Sequence, residues 1–169
     1  MGSLLYDVAV VGAGIIGLAT ARELLVRDPS RRVIVLEAEA GPAVHQTGHN
    51  SGVIHSGLYY APGSAKARLC VAGAALLISY CEERGVAYRR CGKVVVAITE
   101  EELSRLEELR RRGAANGLEG LAPLDGRGVT ELEPAVRGLA GLHVPGTAIV
   151  DFRVVAAALA EDVRARGGA

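Results

Sequence analysis

The chain has 169 residues and a mass of 17.5 kDa; half of it is hydrophobic and 22% is charged, a globular rather than a disordered composition. Its 19 Lys and Arg cancel its 19 Asp and Glu, so no net charge draws it to nucleic acid or acidic lipid. Aromatics make up 4% with no Trp, which removes base-stacking platforms as well and excludes a dedicated DNA or RNA binder. Cys70, Cys81 and Cys91 are widely spaced with no CxxC pair, which suits neither a disulfide scaffold nor a structural zinc site. They read as reduced, small hydrophobes. No run of about 18 apolar residues is present to span a membrane, and no basic leader precedes the first apolar stretch. The expected compartment is the cytoplasm.

Tyr6 to Val11 (YDVAVV) is a short valine-rich run ending at glycine, the pattern of a strand buried on both faces of a parallel sheet. From Ile15 to about Arg27 the period becomes helical, with Leu18, Ala21 and Leu25 on one face. Asp28-Pro29-Ser30 stops the helix, and Arg32 to Glu37 (RVIVLE) reads as a second strand. Together they predict a βαβ unit. Ala38 to Gly63 shows no periodicity but carries three of the four histidines; a connection this long is usually functional. A helix is predicted from Pro62-Gly63-Ser64 to about Arg84, with Leu69, Leu76, Leu77 and Tyr80 on its apolar side.

Lys93 to Ile98 (KVVVAI) is a third strand, and Thr99 with Glu102 forms a capping box for the next helix. Glu101–Arg105, Glu107–Arg111 and Glu108–Arg112 stand at i,i+4 spacing, marking a solvated face. Asn116-Gly117 ends that helix. A loop-rich stretch is expected up to Pro145, then a last helix capped by Asp151 and reaching about Arg166.

Gly12-Ala13-Gly14-Ile15-Ile16-Gly17 is a GxGxxG placed between a strand and a helix. Its first glycine permits the turn, the second admits a pyrophosphate, and the third lets helix pack on strand. The pyrophosphate would face the helix N-terminus, and Glu37 at the end of the second strand can accept from both ribose hydroxyls. A carboxylate there would repel a 2′-phosphate, which argues against NADP. The turn alone leaves FAD and NAD open.

His45-Gln46-Thr47-Gly48-His49-Asn50-Ser51-Gly52-Val53-Ile54-His55-Ser56-Gly57-Leu58-Tyr59-Tyr60, followed by Ala61-Pro62-Gly63-Ser64 and Lys66, distinguishes them. This stretch resembles the L-2-hydroxyglutarate oxidase/dehydrogenase branch of the D-amino-acid-oxidase-like FAD enzymes. The likeness continues through Gly92-Lys93-Val94-Val95-Val96-Ala97, Glu131-Leu132-Glu133-Pro134, Val144-Pro145-Gly146 and Val150-Asp151. His55-Ser56-Gly57-Leu58 also resembles FAD-dependent glycerol-3-phosphate dehydrogenases.

The resemblance implies an α/β fold: a Rossmann-like FAD-binding βαβ unit with the start of a mixed α+β substrate-binding lobe, incomplete. The implied division is residues 1–85 and 147–169 for the FAD-binding domain and 86–146 for the lobe. The implied cofactor is FAD, held by Gly12, Ala13, Gly14, Ile15, Ile16, Gly17 and Glu37, with Thr47, His49, Asn50, Ser51, Gly52 and His55 near the flavin. His49 falls where dimethylglycine-dehydrogenase relatives carry a histidine covalently joined to flavin; because the flanking residues differ, contact without a bond is expected.

The implied reaction oxidises L-2-hydroxyglutarate to 2-oxoglutarate. A base, for which His55 is the candidate, takes the hydroxyl proton while hydride leaves the α-carbon for flavin N5. Electrons then pass to a quinone or to oxygen, and a quinone would bring peripheral contact with the inner membrane face. Arg89 and Arg90 are candidate partners for a 2-hydroxy dicarboxylate, against ordinary surface arginines. Metal binding by His45, His49 and His55 is disfavoured, since no carboxylate completes a set.

The alternatives are an FAD-dependent glycerol-3-phosphate dehydrogenase or amino-acid oxidase, a non-catalytic dinucleotide-binding module, and a nicotinamide-dependent dehydrogenase. The last accounts for the turn and Glu37 but not for residues 45–60. The sequence ends at Gly167-Gly168-Ala169, just after a helix, where a further strand is expected. The expectation is an amino-terminal portion that binds FAD weakly and does not turn over alone.

Overall fold

A computed structural model describes residues 5–169. They form two compact units: the described residues up to Gly52, Cys81–Ala87 and Val150–Ala169 make the first, Val53–Tyr80 and Tyr88–Ile149 the second.

In the first unit, β1 (Val8–Val11) pairs in parallel with β2 (Val33–Leu36), Val8 opposite Val33 and Val11 opposite Leu36. They are joined through α1 (Ile15–Arg27), whose last-turn amides end at Asp28, before Pro29. Asp7 fixes the start of the ladder: its carboxylate accepts from the Arg32 amide at 2.9 Å and from Arg32 Nη2 at 2.7 Å. Those bonds hold its carboxyl at a pKa of about 2. Ala21 and Leu25 of α1 pack with Val33, Val163 and the inward row Val8, Val10 and Val35. Period-2 alternation puts that row on one sheet face.

The opposite face differs from the expected double burial. Val11 is 85% exposed and Leu36 49%. Helices cover only the side where Val163 joins the core, so the alternating residues meet no second layer among the described residues. The backbone of Ala169 adds to β2: its amide donates to Val33 O (3.0 Å) and its carbonyl accepts from Val35 N (2.7 Å), the bonding of a parallel ladder.

The stretch Ala38 to Gly63, expected as irregular, holds a 3-10 turn at Gln46–Gly48 and the two-residue strand β3 (Val53–Ile54). β3 pairs antiparallel with β8 (Ala148–Val150) in a sheet of order β3-β8-β4, where β4 is Tyr88–Arg89. α2 runs from Ala65 to Arg84. Its buried stripe is Ala67, Ile78 and Cys81, whereas Leu69 and Leu76, expected on the apolar side, are more than 70% exposed. Alanine, isoleucine and cysteine, not these two leucines, mark the buried side of this helix.

β5 (Lys93–Ala97) leads into α3 (Glu100–Ala115), whose capping box is present: Glu102 Oε2 accepts from the Ile98 and Thr99 amides. Glu107 and Glu108 pair with Arg110, Arg111 and Arg112; no pair forms between Glu101 and Arg105 among the described residues. The loop-rich stretch expected before Pro145 is instead β6 (Ala122–Asp125), α4 (Gly126–Leu132) and β7 (Ala140–Val144). The sheet order β5-β7-β6 leaves β6 at an edge, where Pro123 is tolerated. Leu58, Leu142 and Val144 centre this unit's core, with Leu106 and Leu109 of α3 against them. Asp151, accepting from the Arg153 amide at 2.8 Å, caps α5 (Phe152–Ala165) in the first unit.

Candidate functional site

The glycine turn follows directly from its backbone. Gly12 sits at φ +99°, a conformation L side chains rarely adopt, and its amide continues the ladder to Leu36 O at 2.7 Å. A Cβ on Gly17 would stand 2.0 Å from Gly12 O, so α1 starts against the turn only because that atom is missing. The first i→i−4 bond of α1 runs from Leu18 N to Gly14 O at 3.0 Å. Ahead of it, the Ile15 amide is taken by Thr47 Oγ1 at 3.1 Å, while the Ile16 and Gly17 amides have no intrahelical acceptor. The positive end of the helix dipole is thus presented with two of its donors.

Glu37 stands just beyond β2. Its Oε2 accepts from the Ala13 amide at 2.7 Å, and its Oε1 from the Ala38 and Glu39 amides at 2.8 and 3.0 Å. The Glu39 and Ala13 amides hold its carboxyl below the usual carboxylate range, burial opposes them, and the Ala38 amide and His45 add smaller lowerings. A carboxylate offers about four acceptor sites, so three amides leave one on Oε2 for a hydroxyl donor. The sign of the pH effect follows. A carboxyl depressed on folding stabilises the turn above its unfolded value, 4.5, and that contribution disappears as pH falls through the folded value. Urea midpoints of the wild-type chain should fall across that acid window. Glu37→Gln should lower the neutral-pH midpoint and flatten the fall; an unchanged acid profile would show that Glu37 does not tie the turn.

These groups enclose a groove of about 340 Å³, lined by Gly12, Gly14, Leu36, Glu37, Ala38, Val44 and Thr47 among others. A second cavity, about 200 Å³, has Ala13, Glu37, Gly41, Arg164 and Ala169 in its wall. Gly12, Gly14, Glu37 and Thr47 therefore share one site, with Ala13, Ile15, Ile16 and Gly17 supplying the turn and helix start behind it.

The remaining candidates form a bonded turn of their own. His49 Nδ1 lies 3.0 Å from His45 O, and His45 Nε2 is 3.0 Å from Glu39 Oε1. Asn50 donates to Gln46 O and Thr47 O (3.2 and 2.8 Å) and accepts from Gly52 N (2.8 Å). Gly52, at φ +68°, takes the Val150 amide on its carbonyl at 2.8 Å, and Ser51 is exposed. His55 belongs to the second unit and is exposed, in a cleft with Tyr59, Tyr60 and Lys93. Among the described residues no group of three His, Cys, Asp or Glu side chains gathers as a metal site.

Sequence reasoning passed over Arg153, whose Nε and Nη2 donate to Gly48 O at 3.1 and 2.9 Å and hold the loop after Glu37 to α5. The only local signal was its place in the first turn after the Asp151 cap. No helix among the described residues is long and apolar enough to cross a membrane.

Known proteins resemble this arrangement along nearly all of the chain. The chain is 51% identical over 163 residues to "L-2-hydroxyglutarate dehydrogenase, mitochondrial" of Homo sapiens, covering 96% of this chain and 35% of that protein. It is 48% identical over 164 residues to the L-2-hydroxyglutarate dehydrogenase of Escherichia coli, covering 97% and 39%. The chain thus spans between a third and two fifths of these relatives.

Among solved structures, an L-alpha-glycerophosphate oxidase from Mycoplasma pneumoniae with FAD bound superposes with a TM-score of 0.89 at 32% identity, over 96% of this chain and 43% of that one. A glycine oxidase from Geobacillus kaustophilus gives 0.85 at 27% identity, over 97% and 45%. The DAO family model, described as FAD dependent oxidoreductase, matches residues 7–169, and the chain belongs to that family.

Proposed function

We propose that this chain supplies the dinucleotide cradle and the first part of the substrate lobe of an FAD-dependent oxidoreductase that converts L-2-hydroxyglutarate to 2-oxoglutarate. The observation that carries the reading is the groove in which the Gly12 turn, the amino end of α1 and the ionised Glu37 meet. The substrate is supported by identities of 48–52% to L-2-hydroxyglutarate dehydrogenases. The first unit is assigned to the cofactor and the second to the beginning of the lobe.

The residues fit an adenine dinucleotide. Space beyond Gly12 is open where a Cβ would project, so backbone can approach a diphosphate. The Ile16 and Gly17 amides would hold its oxygens. Glu37 Oε2 would take a ribose hydroxyl on its remaining acceptor site, and its charge excludes a 2′-phosphate. Thr47 keeps the loop against the helix start through the Ile15 amide. His49, Asn50, Ser51 and Gly52 carry that loop onward and are assigned to the flavin's surroundings. Flavin, when bound there, would supply the two-electron acceptor that the oxidation requires. His55 is assigned as the base that removes the hydroxyl proton, leaving the carbonyl of 2-oxoglutarate. A quinone or oxygen is the final acceptor, with peripheral membrane contact in the quinone case.

The structural likeness to an L-alpha-glycerophosphate oxidase supports glycerol 3-phosphate as the second reading. The tests separate cofactor from substrate. FAD added to the chain should show quenched flavin fluorescence, and acid precipitation should leave all yellow colour in the supernatant. Colour in the pellet would instead mark a covalent bond. Holoprotein of the relatives' length should be bleached anaerobically by L-2-hydroxyglutarate. Bleaching by glycerol 3-phosphate or glycine alone would overturn the substrate, and absence of any flavin binding would overturn the cofactor.

A further inference from the structure

The second unit carries a small cationic cleft that the dinucleotide site does not use. It measures about 90 Å³ and is lined by His55, Gly57, Leu58, Tyr59, Tyr60 and Lys93. No carboxylate lines it. The Lys93 ammonium lies 4.1 Å from the centroid of the Tyr59 ring, within cation–π range, and forms no ion pair among the described residues.

The cleft is built rather than incidental. Arg112 Nη1 donates to Tyr59 O at 3.0 Å, and Asn116 Nδ2 donates to Gly57 O and Tyr60 O at 3.0 and 2.9 Å. The Cys70 thiol donates to His55 O at 3.3 Å. Gly57, at φ +95°, has Val71 Cγ2 only 3.0 Å from where its Cβ would be, so the loop lies directly on α2. Four hydrogen bonds from three side chains, on α2, on α3 and at the C-cap of α3, thus fix the backbone of residues 55–60. On the other side, Gly92 (φ +68°) donates to Thr147 O at 2.9 Å and sets Lys93 at the first position of β5.

Residue choice points the same way. The chain has 17 arginines and two lysines, and one of the two stands here. An ammonium is a compact point charge, whereas a guanidinium is a wide planar fork. The cleft is small, with room for a compact polar group beside the ammonium. A carboxylate is such a group, and its charge is opposite to that of Lys93.

We propose that this cleft is a carboxylate subsite in which Lys93 is the countercharge and Tyr59 and Tyr60 form the wall, receiving one end of a short dicarboxylate. Its identification with L-2-hydroxyglutarate rests on the function proposed above; the anion site itself does not. Unlike Arg89 and Arg90, Lys93 stands in a preformed wall, so binding orders little that is not already ordered.

Titrating the 169-residue chain with glutarate as probe, followed by amide chemical shifts, tests it. Glutarate should move the signals of residues 55–60 and 93. Lys93→Met should weaken binding about tenfold or more, the scale of one charge-assisted hydrogen bond, whereas Lys93→Arg should retain part of it. Lys66→Met, at the other lysine, should bind as wild type. Glutarate that leaves residues 55–60 unmoved, or a Lys93→Met chain that is folded and binds equally well, overturns the subsite. FAD binding is read separately in the same samples by fluorescence. Failure there with glutarate binding intact would strike the flavin reading and leave the subsite standing.

Discussion

Gly17→Ala should unmake the dinucleotide site. The added Cβ would lie 2.0 Å from Gly12 O, 3.2 Å from Gly12 C and 3.4 Å from Val10 Cγ1. The first two are backbone atoms of a strained turn and cannot swing aside as a side chain would. Overpacking of this kind costs about 1–3 kcal/mol or more, and relief here requires α1 to move off β1. The expected result is a lower thermal midpoint together with loss of FAD fluorescence quenching. Gly73→Ala is the control: nothing lies within 4 Å of its Cβ direction, it sits inside α2, and its gain should be about 0.5–1 kcal/mol. If Gly17→Ala bound FAD as wild type, the turn would not be the cradle.

Asp162→Ala should strongly destabilise the first unit. Asp162 lies on α5 with its side chain 8% exposed; Oδ2 accepts from Arg22 Nε at 2.8 Å and Oδ1 from Arg84 Nη2 at 3.0 Å. One carboxylate therefore ties α1, α5 and the last turn of α2 within the first unit. Arg84 is about one third exposed and can turn to water, whereas Arg22, at 20%, is less able to. Removing one partner from a buried pair costs about 3–5 kcal/mol, a large part of the 5–15 kcal/mol typical of a domain. Urea unfolding should show that loss, and Asp162→Asn, which keeps an acceptor without the charge, should fall between. A loss under about 1 kcal/mol would place the cluster with ordinary surface ion pairs.

What the sequence revealed followed the range of the interactions. α1 was legible to its ends because the Gly14 cap and the Asp28-Pro29 stop act on neighbouring residues. The glycine turn was legible for the same reason. β6 and α4 were missed because Pro123, Gly126 and Gly128 read as loop, although an edge strand tolerates the first and a short helix the others. The buried side of α2 was misplaced by counting leucines, when Ala67, Ile78 and Cys81 face inward.

At the site, Glu37 was legible as an acid ending a strand, but its three amide partners were not. Neither was the bond from Thr47 to Ile15, 32 residues away, nor the clasp from Arg153 to Gly48, 105 away. Such partners exist only once the helices have been placed. Lys93 read as the start of a strand, and only the folded loop shows what its ammonium lies over.

Helix α3 shows how a surface free to change its residues can still be fixed in length. Its outward side is a run of exposed ion pairs, interchangeable at little cost. Its final turn, through Arg112 and the following Asn116, grips the carbonyls of residues 57, 59 and 60. Each residue of an α-helix turns the next by about 100°, so a single insertion upstream would swing both grips off the loop. Substitutions there are tolerable, whereas indels are not.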